Sequence, residues 1–206
     1  MSWLTPLDDD AMNSDQKKAF DRALSKLDIE DPADAPRWLR VLANSPEFLK
    51  DTYMNLSRSV FKDDGLKAKT KLLLATVAAS HWGEDDVAEF FADRAQEAGY
   101  TDEEIHEALG IAATTTSFNM YYKFRSLADT DAFEGLRPGL RGSLYMRPSL
   151  GEAFKELVSL VISTANGCKS CVSGHVNAAV KADVTKAQID DAIRTGAIIA
   201  SICQFT

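Results

Sequence analysis

The chain repeats itself, and that limits what it can fold into. Shifted by 84 residues and aligned without a gap, its second half falls on its first. Leu73 meets Leu157, Val77 meets Val161 and Gly83 meets Gly167. Ala95 meets Ala179, Thr101 meets Thr185, Ile105 meets Ile189 and Ala108 meets Ala192. Two helix-start signals fall in register: Thr101-x-x-Glu104 and Thr185-x-x-Gln188 are both capping boxes, in which a hydroxyl and a carboxyl or amide satisfy each other's free N–H groups. Any two amphipathic helical stretches share small and aliphatic residues, but they do not share caps at a fixed offset. The pattern therefore reads as a duplicated helical unit.

The spacing predicts helices throughout, and no period-2 alternation is long enough for a strand. In the first half the expected helices are Pro36 to Ala43, Ser45-Pro46 to about Phe61, Leu66 to His81, Glu84 to Ala98 and Asp102 to about Phe118. Gly99 stops the fourth as a C-terminal cap. Asp63-Asp64-Gly65 is a turn, and Leu136-Arg137-Pro138-Gly139 breaks the halves apart. In the second half Pro148 opens a helix to about Thr164, Gly167 punctuates, and helices follow over Cys168 to Ala182 and from Thr185 to about Cys203. The fold class is all-α, built from two similar helical repeats. One domain over 1–206 is expected: an N-terminal extension with the first helices over 1–45, a first repeat over 46–135, and a second over 136–206.

Composition narrows the function. Hydrophobic residues are 45% and charged residues 26% of the 206, which suits a soluble globular domain with a real core. Acids outnumber bases 31 to 23, a formal charge of -8, which repels a phosphate backbone and argues against nucleic acid. Met1 to Asp10 is acidic and does not resemble a secretory signal. The longest apolar stretch, Leu72 to Ala79, is interrupted by Thr76 and is too short to cross a bilayer. A cytoplasmic protein with no membrane contact is expected. Three cysteines without a secretory signal do not make a disulfide framework, so a C-x-x-C here points to redox chemistry or metal.

That C-x-x-C is Cys168-Lys-Ser-Cys171, followed four residues later by His175. On a helix the three share a face. Asn166-Gly167 puts Cys168 at or near a helix N-terminus, where free N–H groups and the helix dipole favour the thiolate, the form that attacks peroxides and disulfides. His175 has the chemistry to take the Cys171 proton or give it to a leaving oxygen. Glu156, on the preceding helix, reaches His175 if the two helices form an antiparallel hairpin, and would then orient the ring. At the offset of 84 these four meet Glu84, Val87, Phe91 and Leu72, so only the second copy carries the site. Cys203 reads as a small buried apolar residue, and His81 and His106 have no evident partner.

A glutamate, eleven intervening residues and then C-x-x-C-x-x-x-H is the motif of the alkyl hydroperoxidase D family, within the carboxymuconolactone decarboxylase superfamily. Glu156, Cys168, Cys171 and His175 resemble it at every spacing. Leu136 to Arg141, Ala165 to Cys168, and Asn119 ahead of Tyr121-Tyr122 look like family segments too, and the likeness runs from about Phe48 to Cys203. The resemblance implies reduction of hydroperoxides through a redox-active Cys168–Cys171 disulfide, with Glu156 and His175 as proton relay. No bound cofactor or metal is expected. The resemblance further implies an external dithiol donor such as a dihydrolipoyl protein, a peroxiredoxin as possible electron acceptor, and a homo-oligomer, with a trimer favoured. By that analogy Cys171 attacks and Cys168 resolves, whereas the helix-start argument alone favours Cys168. One residue departs: where the best-matching members carry a second histidine, this chain has Ser170, which has no proton affinity near pH 7. That departure implies lower peroxidase turnover, or a disulfide as the thiols' real partner. Other readings are a metal-binding module, two cysteines, a histidine and a carboxylate being enough donors for zinc; a decarboxylase or lactone-processing enzyme, which would not need the cysteines; and a helical oligomerisation protein.

Overall fold

The computed structural model describes residues 5–206; Trp3, with the rest of the first four residues, lies outside them. Ten α-helices account for the described chain's regular structure, apart from short 3₁₀ and π-helical turns. Three N-terminal helices, α1 (Ser14–Lys26), α2 (Arg37–Leu42) and α3 (Pro46–Asn55), come first, α3 running on through a π-helical turn over Leu56–Val60. The first repeat is α4 (Ala68–Trp82), α5 (Asp85–Glu97) and α6 (Asp102–Ala128). A four-residue helix, α7 (Ser143–Met146), precedes the second repeat of α8 (Glu152–Ala165), α9 (Lys169–Lys181) and α10 (Lys186–Phe205). Each helix of the second repeat starts 84 residues after its counterpart in the first.

Both expected capping boxes form. Thr101 Oγ1 accepts the Glu104 N–H at 3.3 Å while Glu104 Oε2 accepts that of Thr101 at 3.0 Å. Thr185 and Gln188 do the same at the start of α10. The turns after α4 and α8 place Gly83 and Gly167 at φ +80° and +64°, left-handed conformations that a Cβ would strain.

The repeats are interlocked rather than set side by side. α4 and α8 lie at the centre, buried over 71–79 and 154–163, and each packs against the third helix of the other repeat, α4 on α10 and α8 on α6. One hydrogen bond is made twice across this exchange. Asp191 of α10 accepts the N–H of Leu66 at 2.9 Å, and Glu107 of α6 accepts that of Leu150 at 2.9 Å. Both donors and both acceptors are 84 residues apart.

Three local expectations need correction. α6 continues ten residues past Phe118, because nothing breaks it until Asp129 turns left-handed at φ 47°. Pro148 does not open α8; its carbonyl closes a turn onto Gly151, and Gly151, at φ 88°, is the N-cap. The N-terminal helix α1 was not anticipated, yet Asn13 and Gln16 cap it with a third reciprocal box.

The N-terminal helices complete the first repeat. Trp38, from α2, meets Phe90 edge-on with ring centroids 5.2 Å apart, Phe90 meets Phe91 at 5.1 Å, and Phe61 stacks on Phe91 at 6.3 Å. Phe61, Phe90 and Phe91 stand where the second repeat has Tyr145, Gly174 and His175. Among the described residues no helix is long and apolar enough to cross a membrane.

Candidate active site

The turn between α8 and α9 places the cysteines. Asn166 and Gly167 end α8, and Cys168 is the N-cap residue of α9, its carbonyl accepting the Val172 N–H at 3.0 Å. α6 fastens this turn. Lys123 Nζ donates to the Asn166 carbonyl at 2.6 Å, the Asn166 amide donates to Asn119 Oδ1 at 3.2 Å, and Asn119 donates to Ser163 Oγ at 3.0 Å. Cys168 and Cys171 are joined by a disulfide. Their surroundings differ: Cys168 is 2% exposed, whereas Cys171 is partly exposed on the α9 face that also carries His175.

That face looks into a cavity of about 440 Å³ between α6, α7 and α9. Cys171, Gly174, His175 and Ser170 form one wall. The facing walls are mostly aromatic and apolar, with Phe118 and Tyr122 from α6 and Tyr145 and Met146 from α7. The unexpected length of α6 supplies Tyr122, and Thr115 and Asn119 are the polar residues on its side.

α9 packs antiparallel on α8, which brings His175 onto Glu156. His175 Nδ1 lies 2.7 Å from Glu156 Oε2. A carboxylate only accepts, so Nδ1 carries the proton and, in the neutral ring, Nε2 keeps its lone pair. Glu156 is 4% exposed, and its other oxygen lies 3.2 Å from Lys155 Nζ. Burial pushes its carboxyl upward, but the hydrogen bonds from His175 and Lys155 outweigh that and hold it below the usual carboxylate range.

All four expected site residues are thus in one place. The sequence reading missed Lys155, Tyr145 and Ser159. Burial also lowers the proton affinity of Lys155, but its bonds to Glu152 and Glu156 reverse this and leave it raised. Tyr145 hydrogen-bonds Ser159 at 3.1 Å, and burial pushes its phenol upward. Lys155 had a signal, a charge beside Glu156 inside the apolar run Phe154 to Ile162; Tyr145, across a loop, had none. Cys203 is buried and free, as expected, its thiol pushed up to about 12 by burial. His81 does have a partner, Thr116 Oγ1 at 3.4 Å from its Nδ1, but lies outside the cavity lining, as does His106.

Comparison with known proteins identifies the family of the chain. The model of the carboxymuconolactone decarboxylase family matches twice, over 46–121 and 131–206, once in each repeat. Proteins named alkyl hydroperoxide reductase AhpD are similar along most of the chain. That of Methylocella silvestris is 36% identical over 159 residues, 76% of this chain and 86% of that one. Those of Rhodopseudomonas palustris and Mycobacteroides abscessus are 34% and 32% identical over 160 residues each, covering 76% and 77% of this chain and 86% and 89% of their own. With one match to each interlocked repeat, and AhpD proteins similar across three quarters of its length, this chain belongs to the carboxymuconolactone decarboxylase family and is AhpD-like.

Proposed function

We propose that this chain is a thiol-dependent peroxidase that reduces organic hydroperoxides through Cys168 and Cys171. One observation carries the reading: Cys171 opens onto an apolar cavity beside a histidine whose far nitrogen is held by a buried carboxylate. The names of the relatives, alkyl hydroperoxide reductase, support the same chemistry.

The reduced pair starts the cycle. Nε2 of His175 takes the Cys171 proton. The thiolate attacks the peroxide oxygen farther from the organic group, and the O–O bond breaks. Sulfur keeps a hydroxyl as sulfenic acid, and the organic oxygen leaves as an alcohol with the proton from His175. The Cys168 sulfur then attacks Cys171, expels water and forms the disulfide. An external dithiol reduces that disulfide, becoming a disulfide itself and returning two electrons and two protons. Burial of Cys168 supports its place as resolving thiol and that of Cys171 as attacking thiol.

The donor in this reading is a dihydrolipoyl protein, a peroxiredoxin is a further electron acceptor, and the work is cytoplasmic. A homo-oligomer, as a trimer, is part of the same proposal, supported by the exposed apolar residues Met120, Phe124, Leu127, Leu136 and Leu140.

Ser170 favours a second reading, a thiol–disulfide oxidoreductase without real peroxidase activity. It stands on the cavity wall with its hydroxyl 3.8 Å from Cys168 Sγ, and offers no second imidazole there. One experiment separates the two: thiols of the fully reduced protein are counted before and after one equivalent of a small organic hydroperoxide, and any bridge is mapped by mass spectrometry. Rapid loss of two thiols with a Cys168–Cys171 bridge is expected. No reaction with peroxide, but ready bridging by an oxidised lipoyl compound, selects the second reading.

A further inference from the structure

The central helix α8 is buried from Phe154 to Ser163, and two adjacent residues in that stretch are charged, Lys155 and Glu156. Charges so deep need partners. Neighbours in a helix do not face each other, yet Lys155 Nζ reaches back to Glu156 Oε1 at 3.2 Å. The carboxylate is therefore divided, one oxygen to the ammonium and the other to the imidazole of His175 at 2.7 Å. Lys155 is held in turn. It bonds Glu152, nearer the surface, and its Nζ lies 4.8 Å from the centroid of the Tyr145 ring. Tyr145 is itself fixed through Ser159, which lies 3.2 Å from Thr115 Oγ1. The first repeat supplies a contrast. Lys71, the counterpart of Lys155, is as deeply buried but lies 3.8 Å from Asp191, with no hydrogen bond to its Nζ and a leucine, Leu72, where Glu156 would be.

We propose that Lys155 is a positioning residue that sets the pH above which His175 acts as a base; this rests on the peroxidase reading of the site. A buried carboxylate with an imidazole as its sole partner would draw a proton onto the ring and hold it there as imidazolium. The ammonium on the other oxygen neutralises the carboxylate, so the ring gives up its proton at lower pH. Nε2 is then free to take the Cys171 proton. The titratable groups around this pair are Glu152 and Glu156 of α8, Tyr145 of α7 and Cys171 and His175 of α9, while α6 contributes the phenol of Tyr122 on the cavity wall and the uncharged Thr115 through Ser159.

The test is NMR titration of the His175 ring in the oxidised protein, where the disulfide removes thiol chemistry, with the signal assigned by its loss in His175→Asn. Lys155→Met should raise the midpoint by roughly one pH unit, and Lys155→Arg should leave it near the wild-type value. In the reduced protein, Lys155→Met should move the acid limb of the peroxide-driven thiol loss upward by the same amount. An unchanged or lowered midpoint in Lys155→Met overturns the proposal. If that variant fails to fold, Glu152→Gln removes a carboxylate that shares the ammonium and should lower the midpoint; no change or a rise overturns the proposal. A wild-type protein inert to hydroperoxide would sink the peroxidase reading alone, because the midpoints of the oxidised variants still decide the role of Lys155.

Discussion

Asp191, in the last helix, accepts a hydrogen bond from the backbone of Leu66, 125 residues earlier, and it is also the carboxylate nearest to the buried ammonium of Lys71. It thereby joins the end of the second repeat to the start of the first and balances a charge inside the core. Asp191→Ala should leave Lys71 without its counter-charge and cost about 3–5 kcal/mol. Urea unfolding measures this. Asp191→Asn, which keeps an oxygen for Leu66, should separate the lost charge from the lost hydrogen bond.

The three cysteines should react in a fixed order once the disulfide is reduced. Iodoacetamide near pH 8 should modify Cys171 first, since it lines the cavity, and Cys168 more slowly. Cys203, with its thiol raised to about 12, should resist until denaturant is added. Peptide mass mapping against time gives the order. Equal rates for Cys168 and Cys171 would reopen the question of which one attacks.

Glu156 has a carboxyl held below its ordinary range, so the folded state prefers it ionised. It contributes stability above its unfolded pKa of about 4.3, and that contribution is lost as pH falls through the lower folded value. Glu156→Gln should flatten the acid side of the stability curve followed by thermal unfolding. It should also slow peroxide-driven thiol loss, by on the order of 10²-fold. Acid unfolding identical to wild type would mean the His175 and Lys155 bonds contribute no net stabilisation.

Gly174 faces open space on the cavity wall, where an added Cβ would meet nothing within 4 Å. Gly174→Leu should fold as well as wild type, because leucine is the better helix former. It should lower kcat/KM for a bulky aromatic hydroperoxide roughly tenfold and leave hydrogen peroxide nearly unaffected. Parallel assays with both oxidants check this; equal losses would move the binding site elsewhere.

Local chemistry made much of this architecture readable in advance. The caps at Thr101 and Thr185, the glycine at Gly167 and the spacing of Cys168, Cys171 and His175 act within a few residues, so their consequences follow from neighbours in the chain. The cap at Asn13 is of the same kind and was open to the same reading. Two kinds of feature stayed hidden. The lower half of α6 exposes Met120, Phe124 and Leu127, so no buried stripe announces it. The cavity is assembled from α6, α7 and α9, and the approach of Tyr145 to Lys155 depends on how the loop before α8 is laid down. The exchange of third helices between repeats is likewise a long-range result, invisible to periodicity.

The aromatic rings of Trp38, Phe61, Phe90 and Phe91 stand in the first repeat where the second keeps a chamber. The corresponding place in the first repeat is filled by side chains, with Trp38 of α2 packed edge-on against Phe90. Because Glu84 and Val87 stand where the second repeat has Cys168 and Cys171, the chemistry proposed above would store one electron pair per chain rather than two.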